Sequence, residues 1–210
     1  MRKLVFWGLL GWGALAQAQV KMQVFVEGKL IGTATVTQKL RQDGSKQVQM
    51  SMEVKNGADP VVLRSESIYL PSGAPLRKYQ EVSVPAQKMR RTTIVEFSAK
   101  GAKVVVDLNG TRSTKEIPLA ANLNREDKSE FWFVRDKPKT GATVSSYTFS
   151  VETLTWEAVK TSYEGDEEIT VGGKKVMAHK TVTARGAAYV DDAGLPLKLD
   201  LGNGAMERIW

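Results

Sequence analysis

AAYVDDAGLPLKLDLGNGAMERIW, residues 187–210, holds three short runs parted by two turn signals, Asp191-Asp192-Ala193-Gly194 and Gly202-Asn203-Gly204. Between the turns, Leu195, Leu197, Leu199 and Leu201 alternate with Pro196, Lys198 and Asp200. A period of two belongs to a strand, because successive side chains of an extended chain leave on opposite sides. The pattern predicts a strand with four leucines on one face and polar groups on the other.

The same alternation continues upstream. Val20, Met22, Val24 and Val26 are interleaved with Lys21, Gln23 and Phe25, and Val48, Met50, Met52 and Val54 with Gln49, Ser51 and Glu53. Glu27-Gly28, Asp43-Gly44, Asn56-Gly57, Pro71-Ser72-Gly73, Lys100-Gly101, Asn109-Gly110 and Gly172-Gly173 punctuate the runs. Turn signals about every 8–14 residues are the spacing of an antiparallel meander, here of about eleven or twelve strands. Residues 144–156 read as one strand bent near Thr153, where the apolar parity passes from Tyr147, Phe149 and Val151 to Leu154 and Trp156. The one interruption is the stretch 120–139. Asn124 has cap chemistry, Glu126, Asp127 and Glu130 follow, Arg135 and Lys137 sit near the end, and Pro138 closes it. That order predicts one short helix. The expected fold is mainly β: an antiparallel meander forming a curved open sheet or incomplete barrel around this helix.

The start of the chain reads as an address. Arg2 and Lys3 precede an apolar run, residues 4–16, too short to cross a bilayer, and Ala16-Gln17-Ala18 is a small-x-small cleavage triplet. Residues 1–18 are expected to be a secretory signal and 19–210 a single β domain, exported to the periplasm or beyond. No cysteine lies at the cleavage triplet, so a lipoprotein anchor is excluded. No later apolar run approaches about 18 residues, so no transmembrane segment is expected after the signal. Losing Arg2 and Lys3 takes the net charge from +7 to 7 − 2 = +5. The remaining cations are scattered and no nucleic-acid motif occurs, so nucleic acid is not an expected partner.

The absence of cysteine also excludes disulfides and thiolate metal sites. His179 is the sole histidine, which leaves zinc, haem and Ser-His-Asp chemistry little to draw on, and no Gly-x-Ser-x-Gly is present. His179 is expected on a strand face with Met177 and Thr181, without a carboxylate at ligand spacing. Asp166-Glu167-Glu168 and Asp191-Asp192 are the only acid-base candidates, and both read as turns, where acids bond their own backbone or face water. No catalytic residue, metal or cofactor is expected. What remains is shape, since an antiparallel sheet of this size must cover one apolar face. Phe131, Trp132, Phe133, Tyr147, Phe149 and Trp156 are the candidate lining of a greasy cavity. Met22, Met50, Met52 and Met177, read on inward faces, agree with an adaptable interior.

A signal peptide, an early Gly28-Lys29-Leu30-Ile31-Gly32 hairpin, a mid-chain aromatic helix and the run from Asp191 to Asp200 together resemble an uncharacterised family of exported bacterial β-proteins, a domain of unknown function. The strand-rich layout is also similar to the LolA and LolB lipoprotein carriers, whose unclosed barrel shelters acyl chains. That resemblance implies a lipid, an acyl chain or a lipidated protein as partner, and carries no site residue across. The expected function is a non-enzymatic envelope protein that holds a hydrophobic ligand in a curved sheet. The alternative is an assembly module that binds protein through its sheet edges.

Overall fold

The computed structural model describes residues 17–56, 59–119 and 132–210. Their strands are β1 (Gln17–Val26), β2 (Lys29–Leu40), β3 (Lys46–Asn56), β4 (Asp59–Tyr69), β5 (Pro75–Val84), β6 (Met89–Ser98), β7 (Gly101–Leu108), β8 (Thr111–Pro118), β9 (Thr143–Ser150), β10 (Thr155–Val171), β11 (Lys174–Thr183), β12 (Gly186–Val190), β13 (Pro196–Asp200) and β14 (Gly204–Ile209). All fourteen form one antiparallel sheet, ordered β8-β7-β6-β5-β4-β3-β2-β1-β14-β13-β12-β11-β10-β9. Helix is almost absent: α1 (Trp132–Asp136) has five residues and a 3-10 turn covers Pro85–Gln87. The expected helix start at Asn124, the signal core and Phe131 lie outside the described residues.

Turn chemistry sets the hairpins. Asn109 and Gly110 have φ of 51° and 90°, the doubly positive geometry that lets a two-residue turn follow the twist of its strands. Asp191 Oδ1 accepts the backbone N–H of Ala193 and of Leu195, at 3.0 and 2.9 Å, fixing the turn before β13.

The first and last strands pair, from Lys21 opposite Ile209 to Val26 opposite Gly204. Their inward side chains, Val20, Met22, Val24 and Met206, join Ala34, Val36 and Leu195 in the main core. Met50 and Met52 pack against that cluster.

The sheet curls without closing: among the described residues β8 pairs only with β7, and β9 only with β10. The curl shows in contacts between strands far apart in the sheet. Phe97 of β6 meets Phe149 of β9 and Trp156 of β10, with ring centroids 5.9 and 5.8 Å away. Lys78 Nζ of β5 donates to Thr148 Oγ1 of β9 at 3.3 Å. Phe149 and Thr148 leave opposite faces of β9, so the β9–β10 hairpin end is tucked inside the curl. One side of it seals against β6 and β7, and the other faces a cleft.

Several expectations are corrected. Residues 144–156 are not one bent strand. The chain turns at 151–154, Leu154 takes φ 55°, and Phe149 comes opposite Trp156. The parity change was the mark of a hairpin. The acids at 166–168 are not in a turn; they continue β10, because β11 offers opposite charges: Lys175 Nζ to Glu168 at 2.8 Å and Lys180 Nζ to Glu167 at 3.4 Å. The four leucines do not share one environment. A register shift puts Val190 opposite Pro196, leaving Leu197 the extra residue of a bulge. Leu197 therefore joins Val171 and Ala178, Leu195 and Leu199 pack with the main core, and Leu201 is exposed. Met177 is 61% exposed, so it is not an inward residue.

Met22 is fully buried beside the seam of the terminal strands. Met22→Ala is expected to lower unfolding free energy by about 2–5 kcal/mol, whereas exposed Met177→Ala changes it by less than about 0.5 kcal/mol. Urea denaturation followed by circular dichroism measures both.

Candidate functional site

The cleft inside the curl has a volume of about 490 Å³, within the range of small-molecule sites. One wall is Lys78 and Gln80 of β5; the facing wall is built from the inward parity of β9 to β12, and Trp132 of α1 closes part of it. Period-two alternation puts Ser146 and Thr148 of β9, Thr161 of β10 and Thr181 of β11 on this wall, with Val144, Val159 and Ala188 between them. The surface thus mixes hydroxyl with hydrocarbon, which differs from an all-greasy cavity. Arg185 stands at the rim, ion-paired to Glu157.

Trp132 is 4% exposed, and its indole Nε1 has no hydrogen-bond partner among the described residues. Leaving such a donor unpaired costs about 1–3 kcal/mol. Trp156 Nε1 is likewise unpartnered among the described residues, but Trp156 belongs to the seal with Phe97 and Phe149.

The candidate aromatics part company in the structure. Trp132 lines the cleft, and Phe149 borders it while its ring packs in the seal with Phe97 and Trp156. Phe133 is buried behind it, stacked on Tyr163 at 6.2 Å and edge-on to Trp132 at 6.3 Å. Trp156 sits 5.2 Å from Phe149 in the seal, and Tyr147 is exposed. Phe131 is outside the described residues.

A second cluster was not read from the sequence. His179 has a carboxylate on each ring nitrogen: Nδ1 is 2.6 Å from Asp166 Oδ1 and Nε2 is 3.0 Å from Asp192 Oδ1. Both carboxylates lie thirteen residues away in sequence, beyond the ligand spacing considered for this histidine. Tyr163 OH also donates to Asp166 Oδ1, at 2.5 Å. The Tyr163 bond, then the His179 bond, hold the Asp166 carboxyl below its ordinary value of 3.8. Burial, followed by the adjoining Asp166, pushes the Tyr163 hydroxyl up to about 12. The signal for this pairing was present. Counting outward from the two-residue turn Gly172-Gly173 brings Asp166 opposite His179, the observed register. Among the described residues no three His, Asp or Glu side chains form a metal-holding group. In this trio the two carboxylates flank opposite edges of the ring and do not converge.

Two further hollows, of about 440 and 650 Å³, are lined by Arg90, Asp107 and Arg112 and by Lys39, Arg41, Asp43, Glu66 and Arg77. Both lie on the face of the sheet opposite the cleft. On that face Glu81, 4% exposed, accepts from Arg64 Nη1 (3.0 Å), Tyr79 OH (2.9 Å) and Arg90 Nε and Nη2 (2.9 and 2.6 Å). Its oxygens are saturated, and the Arg90 bonds hold its carboxyl below the ordinary range. Glu81 is therefore a cross-strand tie.

Asp166 is depressed in the folded state, so its stabilising contribution is complete above the ordinary carboxylate range and is lost as pH falls through its lower folded value. Tyr163→Phe removes the first cause of the depression. The Asp166 carboxyl is expected to rise toward 3.8, and the stability deficit of the variant at neutral pH to vanish in acid. Side-chain carboxyl NMR of Asp166 and acid unfolding check this.

No helix among the described residues is long and apolar enough to cross a membrane. No family model matches the chain, and no curated protein matches it. Solved structures similar to it include the following two. A DUF1089 family protein from Pseudomonas aeruginosa is 10% identical, with a TM-score of 0.43 over 96% of this chain and 98% of that one. A β-barrel-like protein of the domain of unknown function DUF1849 from Brucella abortus is 12% identical, with a TM-score of 0.50 over 92% of this chain and 95% of that one. At this identity the second likeness is one of fold: the chain has the β-barrel-like architecture of a domain of unknown function, as the resemblance carried by its closing run implied.

Proposed function

We propose that the protein is an exported, non-enzymatic envelope protein that holds a lipid, an acyl chain or a lipidated protein segment in the cleft between β5 and β9–β12. The observation that carries this reading is the buried Trp132 Nε1, without a partner among the described residues, in a cleft that mixes apolar and hydroxyl groups. Val144, Val159 and the Trp132 ring offer apolar contact, and the hydroxyls of Thr148 and Thr161 offer donors to a polar head. The favoured ligand is therefore amphiphilic, with an acceptor oxygen beside its apolar part.

The second reading, an assembly module that binds an extended segment of protein, is favoured by β8. Every β8 residue except Ile117 is exposed, and among the described residues the strand pairs only on its β7 side.

Trp132→Phe keeps a ring and removes the donor. A fluorescent fatty acid is expected to bind this variant about three- to tenfold more weakly, the worth of one hydrogen bond, and Trp132→Ala more weakly still. A probe that ignores the wild type, or binds Trp132→Phe equally well, overturns the cleft reading. Crosslinking of a protein partner through β8 then supports the second.

A further inference from the structure

His179 stands opposite Asp166 of β10 and Val190 of β12 in the backbone ladder, and its ring also reaches the turn that follows β12. Asp166 reaches it from β10, where a register shift between Tyr163 and Gly165 inserts an extra residue and Gly165 takes φ 99°. Asp192 reaches it from the turn before β13. That turn is braced by Asp191, whose Oδ2 accepts from Arg208 Nη2 at 2.8 Å.

Counting hydrogens shows what the arrangement demands. An ionised carboxylate only accepts, and a neutral imidazole carries one N–H. Both contacts are therefore hydrogen bonds only when the ring carries two protons. The other polar groups around it do not supply the missing donor. Tyr163 OH, 3.4 Å from Nδ1, already donates to Asp166. Lys175, two strand positions beyond Met177, is held by Glu168, and Arg208 is held by Asp191. From β12 the ring faces Val190, which has no charge. The loop before β9 binds the backbone of Tyr163, through Gly141 N–H at 2.7 Å and Ala142 O at 2.9 Å.

The cluster reaches the cleft wall through Tyr163 and Val190. Val190 and Tyr163 are buried in one group with Trp132, Phe133 and Val144. Trp132 and Val144 line the cleft, so the residues that flank His179 also back the residues a ligand meets.

We propose that His179, Asp166 and Asp192 form a proton-operated latch that governs the cleft. With two ring protons, His179 ties the turn at Asp192 to β10 and holds Val190 and Tyr163 against Trp132. With one, the shorter contact to Asp166, shared with Tyr163, is kept and Asp192 is released. The turn then keeps its own backbone bonds, the Asp191–Arg208 pair and the Gln38 contact to Ala193 but loses its side-chain tie to His179, and the backing of Trp132 loosens. A ligand binds more tightly below the pH at which the ring loses its proton than above it. This inference rests on the cleft being a binding site.

Because His179 is the sole histidine, its ring signals in NMR of the full chain are unambiguous. As pH is raised until the ring gives up one proton, one ring N–H hydrogen bond is expected to disappear. The Trp132 indole N–H and the Val190 amide shift with the same midpoint. A Trp132 indole signal that stays put while His179 titrates overturns the latch. A fluorescent alkyl sulfonate, whose head stays ionised throughout, is expected to bind the wild type about three- to tenfold more tightly at a pH below that step than at one above it. Asp192→Asn should abolish that difference, since an amide pairs with either form of the ring; Asp192 is fully exposed, so the variant keeps its fold. A sulfonate that binds equally well at both pH values overturns the latch and leaves the cleft reading standing. A sulfonate that binds at neither pH removes the cleft reading, and the NMR arm alone then decides whether His179 and Trp132 are coupled.

Discussion

The pairing of β1 with β14 is the constraint on which the rest of the structure depends. Six residue pairs join the two ends of the described chain in the middle of the sheet, and Met22, Val24 and Met206 of those strands sit in the main core. With the terminal strands paired, the free edges must fall elsewhere. They fall to β8 and β9, which follow one another along the chain. The opening of the incomplete barrel is therefore a mid-chain feature. Of all the strand pairings this one closes the longest loop, so it carries the largest entropy of closure and is the least local contact of the fold.

The two faces of the sheet solve different problems. On one, Glu81 gathers Tyr79, Arg64 and Arg90 across three neighbouring strands, and every oxygen is satisfied. On the other, the core near β1 gives way to serine and threonine toward β9–β11, with a tryptophan donor that has no partner among the described residues. The satisfied network adds rigidity and leaves nothing for a partner. The incompletely satisfied wall keeps capacity for one.

Much of this was legible in the residues, and the reason is geometric. Two-residue turns at Asn109-Gly110 and Gly172-Gly173 require positive φ, and only a few residue types supply it cheaply, so hairpins announce themselves. Alternation then assigns faces, as it does for Val20 to Val26. What failed was a change of parity without a turn signal. Residues 151–154 contain no glycine or proline, so the β9–β10 hairpin passed for a bent strand. Leu197 was misplaced for a related reason: a bulge inserts one residue and leaves no mark in composition. The acids of β10 were read as a turn because charge in isolation favours solvent, while the balancing cations lay across the hairpin on β11. The His179 cluster could have been counted from the turn positions, but the cleft could not. It depends on how far the sheet curls, a property of the whole strand set and of no single run.

Read from one edge to the other, the sheet begins at β9, passes through β14 to β1 and ends at β8, each strand beside its successor. The molecule is thus an uninterrupted meander in space, cut and rejoined in sequence. A short linker from Trp210 back to Gln17, with new termini opened between β8 and β9, preserves every ladder while turning the most distant strand pair into an ordinary hairpin. Such a circular permutant has the same architecture with its long-range closure converted to a local one, and its chain ends come to lie at the mouth of the barrel.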